Sequence, residues 1–220
     1  MVQRHLLAAL PMQGPSTQLS LLVIGAVTSL APPPTQAQSA PAVETQRYAI
    51  EVAGLRVGTM TATRQSAGAD IVSTLTSDVQ VNILFYHLKV YYKVINRFRG
   101  GQLMLSTVDA HTNQGDFASR TEWKGTYYDI VADQYKHHYR GTEQQPITYT
   151  VTDQFFTEPG ARAKAFAEYF GGYFTLAPTA PAVYRAQRDG REDEYHYANG
   201  QLVTIIKKNP VKNFVIRRLP

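Results

Sequence analysis

The stretch Ile71-Val-Ser-Thr-Leu-Thr-Ser-Asp-Val-Gln-Val-Asn-Ile-Leu-Phe85 puts Ile71, Leu75, Val79, Val81, Ile83 and Phe85 on odd positions and Thr74, Thr76, Asp78, Gln80 and Asn82 on even ones. Successive side chains of a strand point to opposite faces, so this period of two predicts a long strand with one buried and one wet face. The next stretch repeats the pattern with the parity reversed: Leu88, Val90, Tyr92, Val94 and Phe98 alternate with His87, Lys89, Lys93 and Arg97. Gly100-Gly101 then supplies the positive φ of a tight hairpin, and Leu103 to Thr112 returns.

Outward from this pair the rhythm continues. Phe117 to Trp123 and Tyr127 to Tyr139 read as strands, punctuated by Gly115-Asp116 and Gly125. Tyr48 to Val52 and Val57 to Thr63 pair about Gly54, Glu194 to Ala198 and Gln201 to Lys207 pair about Asn199-Gly200, and Asn213 to Leu219 closes the chain. Pro146 to Pro181 breaks the rhythm. Within it, Ala161 to Phe170 has good helix formers, yet its alternation also permits an edge strand, and both readings stay open. The expected fold is all-β with minor α: an antiparallel, strongly curved sheet, barrel or half-barrel of about 10 strands, with a short helical or irregular segment near 152–170.

The chain has 220 residues, 44% hydrophobic and 18% charged, which excludes collagen-like and coiled-coil classes. The absence of Cys excludes disulfides, a thiol nucleophile, iron–sulfur clusters and Cys-ligated zinc. Leu19 to Ala31 is one apolar run behind Arg4 and His5, and no acidic residue precedes Glu44. It falls short of the ~20 apolar residues that a spanning helix needs, and Pro32-Pro33-Pro34 and the small residues Thr35 to Ala40 follow it. The expectation is a signal peptide over 1–37, a flexible linker over 38–46 and a single antiparallel β domain over 47–220, exported to the periplasm or secreted with no transmembrane span after signal removal. A short buried helix or an uncleaved anchor is the alternative.

No G-x-S-x-G, H-E-x-x-H, P-loop or G-x-G-x-x-G string occurs, so no catalytic residue is assigned and no cofactor is expected. Asp109 and His111, with Asn113, share one strand face and are the weak metal candidates; a solvated polar face near a turn explains them as well. His137 and His138 are adjacent and point apart. Carboxylates for glycoside hydrolysis would have to come from Glu158, Glu168, Asp189 or Glu192 to Glu194, and spacing alone does not fix their separation.

Tyrosine is the distinctive residue type, with 14 in the chain. Its apolar face and polar tip suit a cavity wall, which makes Tyr86, Tyr92, Tyr128, Trp123 and Tyr197 the candidate ligand-binding residues; ordinary cross-strand packing accounts for them too. Lys89, Lys93 and Arg97 form a basic strand face, suited in an exported protein to an anionic envelope component rather than to nucleic acid.

Tyr48-Ala-Ile-Glu-Val-Ala-Gly-Leu-Arg-Val-Gly58, Trp123-Lys-Gly-Thr-Tyr-Tyr, Phe155-Phe-Thr-Glu-Pro159, Glu168-Tyr-Phe-Gly171 and Tyr195-His-Tyr-Ala-Asn-Gly-Gln-Leu202 resemble, in their order, a family of uncharacterised exported bacterial all-β domains of unknown function. The resemblance covers about Arg47 to Pro220. It implies a periplasmic or secreted domain with a curved sheet similar to lipocalins or to the half-barrels of lipoprotein carriers, brings no catalytic residues, and favours a strand ending at Gly171. The functional expectation is a non-enzymatic module that binds an apolar or amphipathic ligand such as a lipid. A structural domain contacting an envelope protein or polysaccharide, and an envelope hydrolase, are the alternatives.

Overall fold

The computed structural model describes residues 41–83, 86–208 and 213–220, with side chains outside 81–88. The expected signal peptide over 1–37 lies outside the described residues.

Fourteen strands run in chain order among the described residues: β1 (Ala42–Val52), β2 (Leu55–Ala67), β3 (Asp70–Ile83), β4 (Tyr86–Arg99), β5 (Gln102–Thr112), β6 (Gly115–Trp123), β7 (Tyr128–Gln134), β8 (His137–Glu143), β9 (Lys164–Ala167), β10 (Gly172–Ala180), β11 (Val183–Arg188), β12 (Arg191–Ala198), β13 (Gln201–Lys207) and β14 (Phe214–Arg218). A 3-10 turn at Thr152–Phe155 is the helical element among them. All strands join one antiparallel sheet in the order β8-β7-β6-β5-β4-β3-β2-β1-β14-β13-β12-β11-β10-β9. The fold is all-β, and the sheet is not closed, because its edge strands β8 and β9 do not pair with each other.

The alternation that predicts β3 and β4 sorts their faces. Leu75 and Val79 on β3 and Val94 and Phe98 on β4 are buried, while Asp78, Gln80, Lys89 and Arg97 are exposed. Ser73, Ser77 and Asn96 share the inward face and are buried polar residues. Gly100-Gly101 and Asn199-Gly200 both have two residues at positive φ, as a type I′ hairpin requires.

The count rises from about ten expected strands to fourteen for three local reasons, the last of them the short strand β9. The run Tyr127 to Tyr139 is two strands, because Lys136 turns the chain at φ 57° without glycine or proline to mark the place. The hairpin of β10 and β11 was hidden by Pro178 and Pro181. Pro178 is tolerated because β9 pairs β10 only over Gly172 to Thr175, and the β10–β11 register shifts between Pro178 and Ala180. Ala161 to Phe170 resolves to the short strand β9 followed by a turn. At the other end, β1 begins at Ala42 and pairs with β2 out to Ala42↔Ser66, so strand already occupies most of the stretch expected as linker.

Two packing events give the sheet an interior. The turn between β9 and β10 lies against β6, β7 and β8: Ser119 Oγ donates to the Tyr169 carbonyl at 3.0 Å, and His137 Nε2 sits 3.0 Å from the Phe170 carbonyl. Gly171, at φ +66°, is required there, since a Cβ would fall 2.6 Å from Ile130 Cγ2. The connection from β8 to β9 then crosses the inward face as a plug. Leu103 N–H donates to the Ile147 carbonyl at 2.8 Å, and Thr150 bridges Phe166 in parallel.

Candidate functional site

The interior is filled on one side and hollow on the other. Phe98, Leu103, Tyr128, Ile130, Ile147 and Phe166 pack together on the filled side. Tyr128 is fully buried there; its hydroxyl donates to the Leu103 carbonyl at 2.8 Å and accepts from Ile147 N–H at 3.2 Å, and Trp123 packs on its ring at 4.8 Å.

The plug is fixed by a second set of bonds. Arg64 Nη2 on β2 pairs with Asp153 Oδ1 at 2.7 Å, and the Arg64 guanidinium lies 4.3 Å from the Phe156 ring centre. Asp153 Oδ2 also accepts from the Thr150 N–H and hydroxyl, both at 2.9 Å. Tyr197 donates its hydroxyl to the Gln154 carbonyl at 2.9 Å, and Phe155 meets the Tyr48 ring edge-on at 5.3 Å.

Beyond the plug the sheet borders an open cavity of about 390 Å³. Its walls come from Ile50 on β1, Met60 on β2, Leu75, Ser77 and Val79 on β3, Tyr92 on β4, Phe174 on β10, Tyr195 on β12, Ile205 on β13 and Ile216 on β14. Val151 and Phe155 of the plug and Ala167 to Phe170 cover the remaining side. Such a volume, mostly apolar with few polar groups, falls in the range of small-molecule sites.

Arg191, Asp193, Lys207 and Lys208 also line the cavity; Arg191 and Lys208 are exposed and Asp193 is buried. Lys207 Nζ pairs with Asp193 Oδ2 at 2.6 Å, and Lys208 pairs with Glu192. Arg191 stacks on the Phe170 ring at 5.1 Å and has no carboxylate within ion-pair distance among the described residues. Glu168, 3% exposed, is in the lining as well. Asn96 Nδ2 donates to its Oε1 at 2.7 Å and Thr152 N–H donates to the same oxygen at 3.1 Å. Burial holds the Glu168 carboxyl above its ordinary range against hydrogen bonds from Asn96, Thr152 and its own backbone N–H. Burial and the neighbouring Glu168 likewise push the Tyr92 hydroxyl well up, so it remains a neutral donor.

Of the candidate ligand-binding residues, Tyr92 lines this cavity. Tyr128 and Trp123 belong to the filled side and Tyr197 holds the plug; none of the three is a lining residue. Tyr86 lies among residues whose side chains are outside the described set. Lys89, Lys93 and Arg97 share the outward face of β4, where Lys93 stands opposite Asp109 of β5. Asp109 and His111 are both exposed; His111 Nδ1 bonds Asp116 Oδ1 at 2.8 Å and its ring stacks on Tyr91. Among the described residues no group of three or more metal-ligating side chains assembles.

Glu168, Phe170, Arg191 and Tyr195 were not singled out as ligand-binding residues from sequence. The one available signal was a glutamate among apolar and small residues in Ala165-Phe-Ala-Glu-Tyr-Phe170, where a solvated strand face would offer more polar neighbours.

A family model described as Domain of unknown function (DUF6134) matches residues 48–219. No curated protein and no solved structure matches the chain.

Proposed function

We propose, for a chain that belongs to the family described as Domain of unknown function (DUF6134), that the cavity binds a small amphipathic molecule, its apolar body between the sheet walls and a negatively charged end at the rim. The observation that carries this reading is a cavity of about 390 Å³, walled by apolar side chains from eight strands and the plug and opening beside the unpaired Arg191. Fully burying an aliphatic group of leucine size is worth about 1.5–3 kcal/mol. The rim supplies orientation rather than most of the affinity, since exposed charge pairs contribute about 0–1 kcal/mol. Export, expected from Leu19 to Ala31, would place this ligand among envelope components.

Titration with decanoate, followed by native mass spectrometry and by displacement of an anilinonaphthalene sulfonate dye, tests the reading. The expected result is one decanoate per chain, with binding lost in Ser77→Phe, which puts a ring into the cavity, and weakened several-fold in Arg191→Gln. Decanoate binding that is absent, or that Ser77→Phe leaves intact in a folded protein, overturns it.

A further inference from the structure

Two arginines flank the turn between β11 and β12, and their placement beside the cavity bears on the chemistry of the ligand's charged end. Asp189 and Gly190 form that turn at φ 48° and 75°, the positive values of a two-residue hairpin, so Arg188 stands directly opposite Arg191. The side chains of such a pair leave the sheet on the same face, with Cβ atoms about 4.5–5.5 Å apart. Both guanidinium carbons lie within 5.5 Å of the centre of one ring, Phe170. Phe170 and Arg191 line the apolar cavity, and Arg188 and Arg191 line a polar hollow, so Arg191 borders both spaces.

Like charges directly opposite one another repel, and the neighbouring acids do not relieve this pair. Asp193 is held by Lys207 and Glu192 by Lys208. Asp189 meets Arg188 at 3.1 Å, but its side chain is 79% exposed, where water screens the contact. Arg191 makes no hydrogen bond or ion pair among the described residues. Gly172 on β10 leaves the space that Arg188 occupies, since a Cβ there would fall 2.1 Å from Arg188 Nη1.

We propose that Arg188 and Arg191 form a clamp for a phosphate monoester, so that the ligand of the cavity is an aliphatic chain that ends in phosphate. This rests on the reading of the cavity as a ligand site and names the head group. A phosphate monoester carries a charge of about −1.5 to −2 at neutral pH and three acceptor oxygens. A carboxylate carries one charge and two oxygens, which a single guanidinium fork satisfies. Two opposed guanidiniums match the larger anion, and the planar fork of arginine fits its oxygens. Because Arg191 is exposed, the anion keeps water on its outer side and escapes the desolvation that a buried ion pair suffers.

Isothermal titration of the full chain at neutral pH with decyl phosphate, decanoate, decyl methyl phosphate and inorganic phosphate tests the clamp. Decyl phosphate should bind about tenfold more tightly than decanoate, the worth of one further charge-assisted hydrogen bond. Decyl methyl phosphate, which carries a single charge, should fall back to the decanoate level. Arg188→Gln should weaken decyl phosphate more than decanoate and so remove the difference between them. Inorganic phosphate, which brings no apolar surface to the walls, should bind about a hundredfold more weakly than decyl phosphate. Equal affinities of decyl phosphate and decanoate in wild type, or equal effects of Arg188→Gln on both, overturn the clamp while decanoate binding keeps the cavity reading. Inorganic phosphate binding as tightly as decyl phosphate overturns it in favour of a site for free phosphate. If Arg188→Gln does not fold, the ranking of the three decyl probes in wild type decides. No binding of any probe removes the cavity reading and this proposal together.

Discussion

Asp153 and Glu168 are both buried carboxylates packed under the same sheet, and the protein treats them in opposite ways. Asp153 meets Arg64 at 2.7 Å and two Thr150 donors, and the plug is nailed to β2 through it. Glu168 meets hydrogen-bond donors on one oxygen and no cation. Burial pushes both carboxyls up; at Asp153 the guanidinium pulls against it, and at Glu168 only neutral donors do. The difference follows the division of the interior. Asp153 secures the segment that covers the cavity, and a structural carboxylate in that role needs its charge compensated. Glu168 borders the cavity and forms no ion pair among the described residues.

Removing the compensation should break the comparison most visibly. Arg64→Ala leaves Asp153 buried without its partner, and truncating one member of a buried pair costs about 3–5 kcal/mol. Urea unfolding of this variant should show that loss, and Asp153→Asn in the Arg64→Ala background should recover part of it. A loss below about 1 kcal/mol would place the pair with weak surface bridges and remove the anchoring role.

The second effect compares the filled and hollow sides by adding the same volume to each. Ala132, fully buried where the β9–β10 turn meets β7, has no room: a Cβ on Gly171 would already stand 3.5 Å from its own Cβ. Ala132→Phe should therefore cost about 1–3 kcal/mol or more by overpacking. Ser77→Phe directs its ring into the cavity and should cost less than about 1 kcal/mol. Thermal unfolding of the two variants side by side measures the contrast; equal costs would mean that the cavity wall cannot accept an occupant of that size.

The fold was legible where a physical rule acts through neighbours in sequence. The alternation of Ile71 to Val79 and of Val90 to Phe98, and the two-residue turns Gly100-Gly101 and Asn199-Gly200, read directly as β3, β4 and their hairpins. The turn at Lys136 was not legible, because a left-handed lysine leaves no mark in composition. The hairpin around Ala182 was masked by two prolines that only an edge position and a bulge make acceptable. Of the cavity, Tyr92 was legible as an inward aromatic on β4. Glu168 was not, since its burial depends on Asn96 from β4 and Thr152 from the plug, contacts that span 72 and 16 residues along the chain. The plug itself hides in a Pro-bounded stretch whose ties to the sheet, Arg64 to Asp153 and Tyr197 to Gln154, span 89 and 43 residues.

The smallest effect separates the two carboxylates by pH. Glu168 has a folded-state value raised above its ordinary 4.5 by burial. Between the unfolded value and the folded one the native chain holds a proton that the unfolded chain has released, so stability falls as pH rises through that window. Its contribution is fully present below about pH 4.5 and is lost progressively above it, with a slope of at most about 1.4 kcal/mol per pH unit for one proton. Asp133 runs the other way. Arg140 and His138 hold it down to about 2, so its contribution is present above its ordinary value near 3.8 and is lost as pH falls toward 2. Subtracting the stability curve of Glu168→Gln from that of wild type isolates the first term, because Asp153 and Asp133 titrate in both proteins. The difference should fall with rising pH from about 4.5. A flat difference would mean that Glu168 is ionised in the folded chain despite its burial.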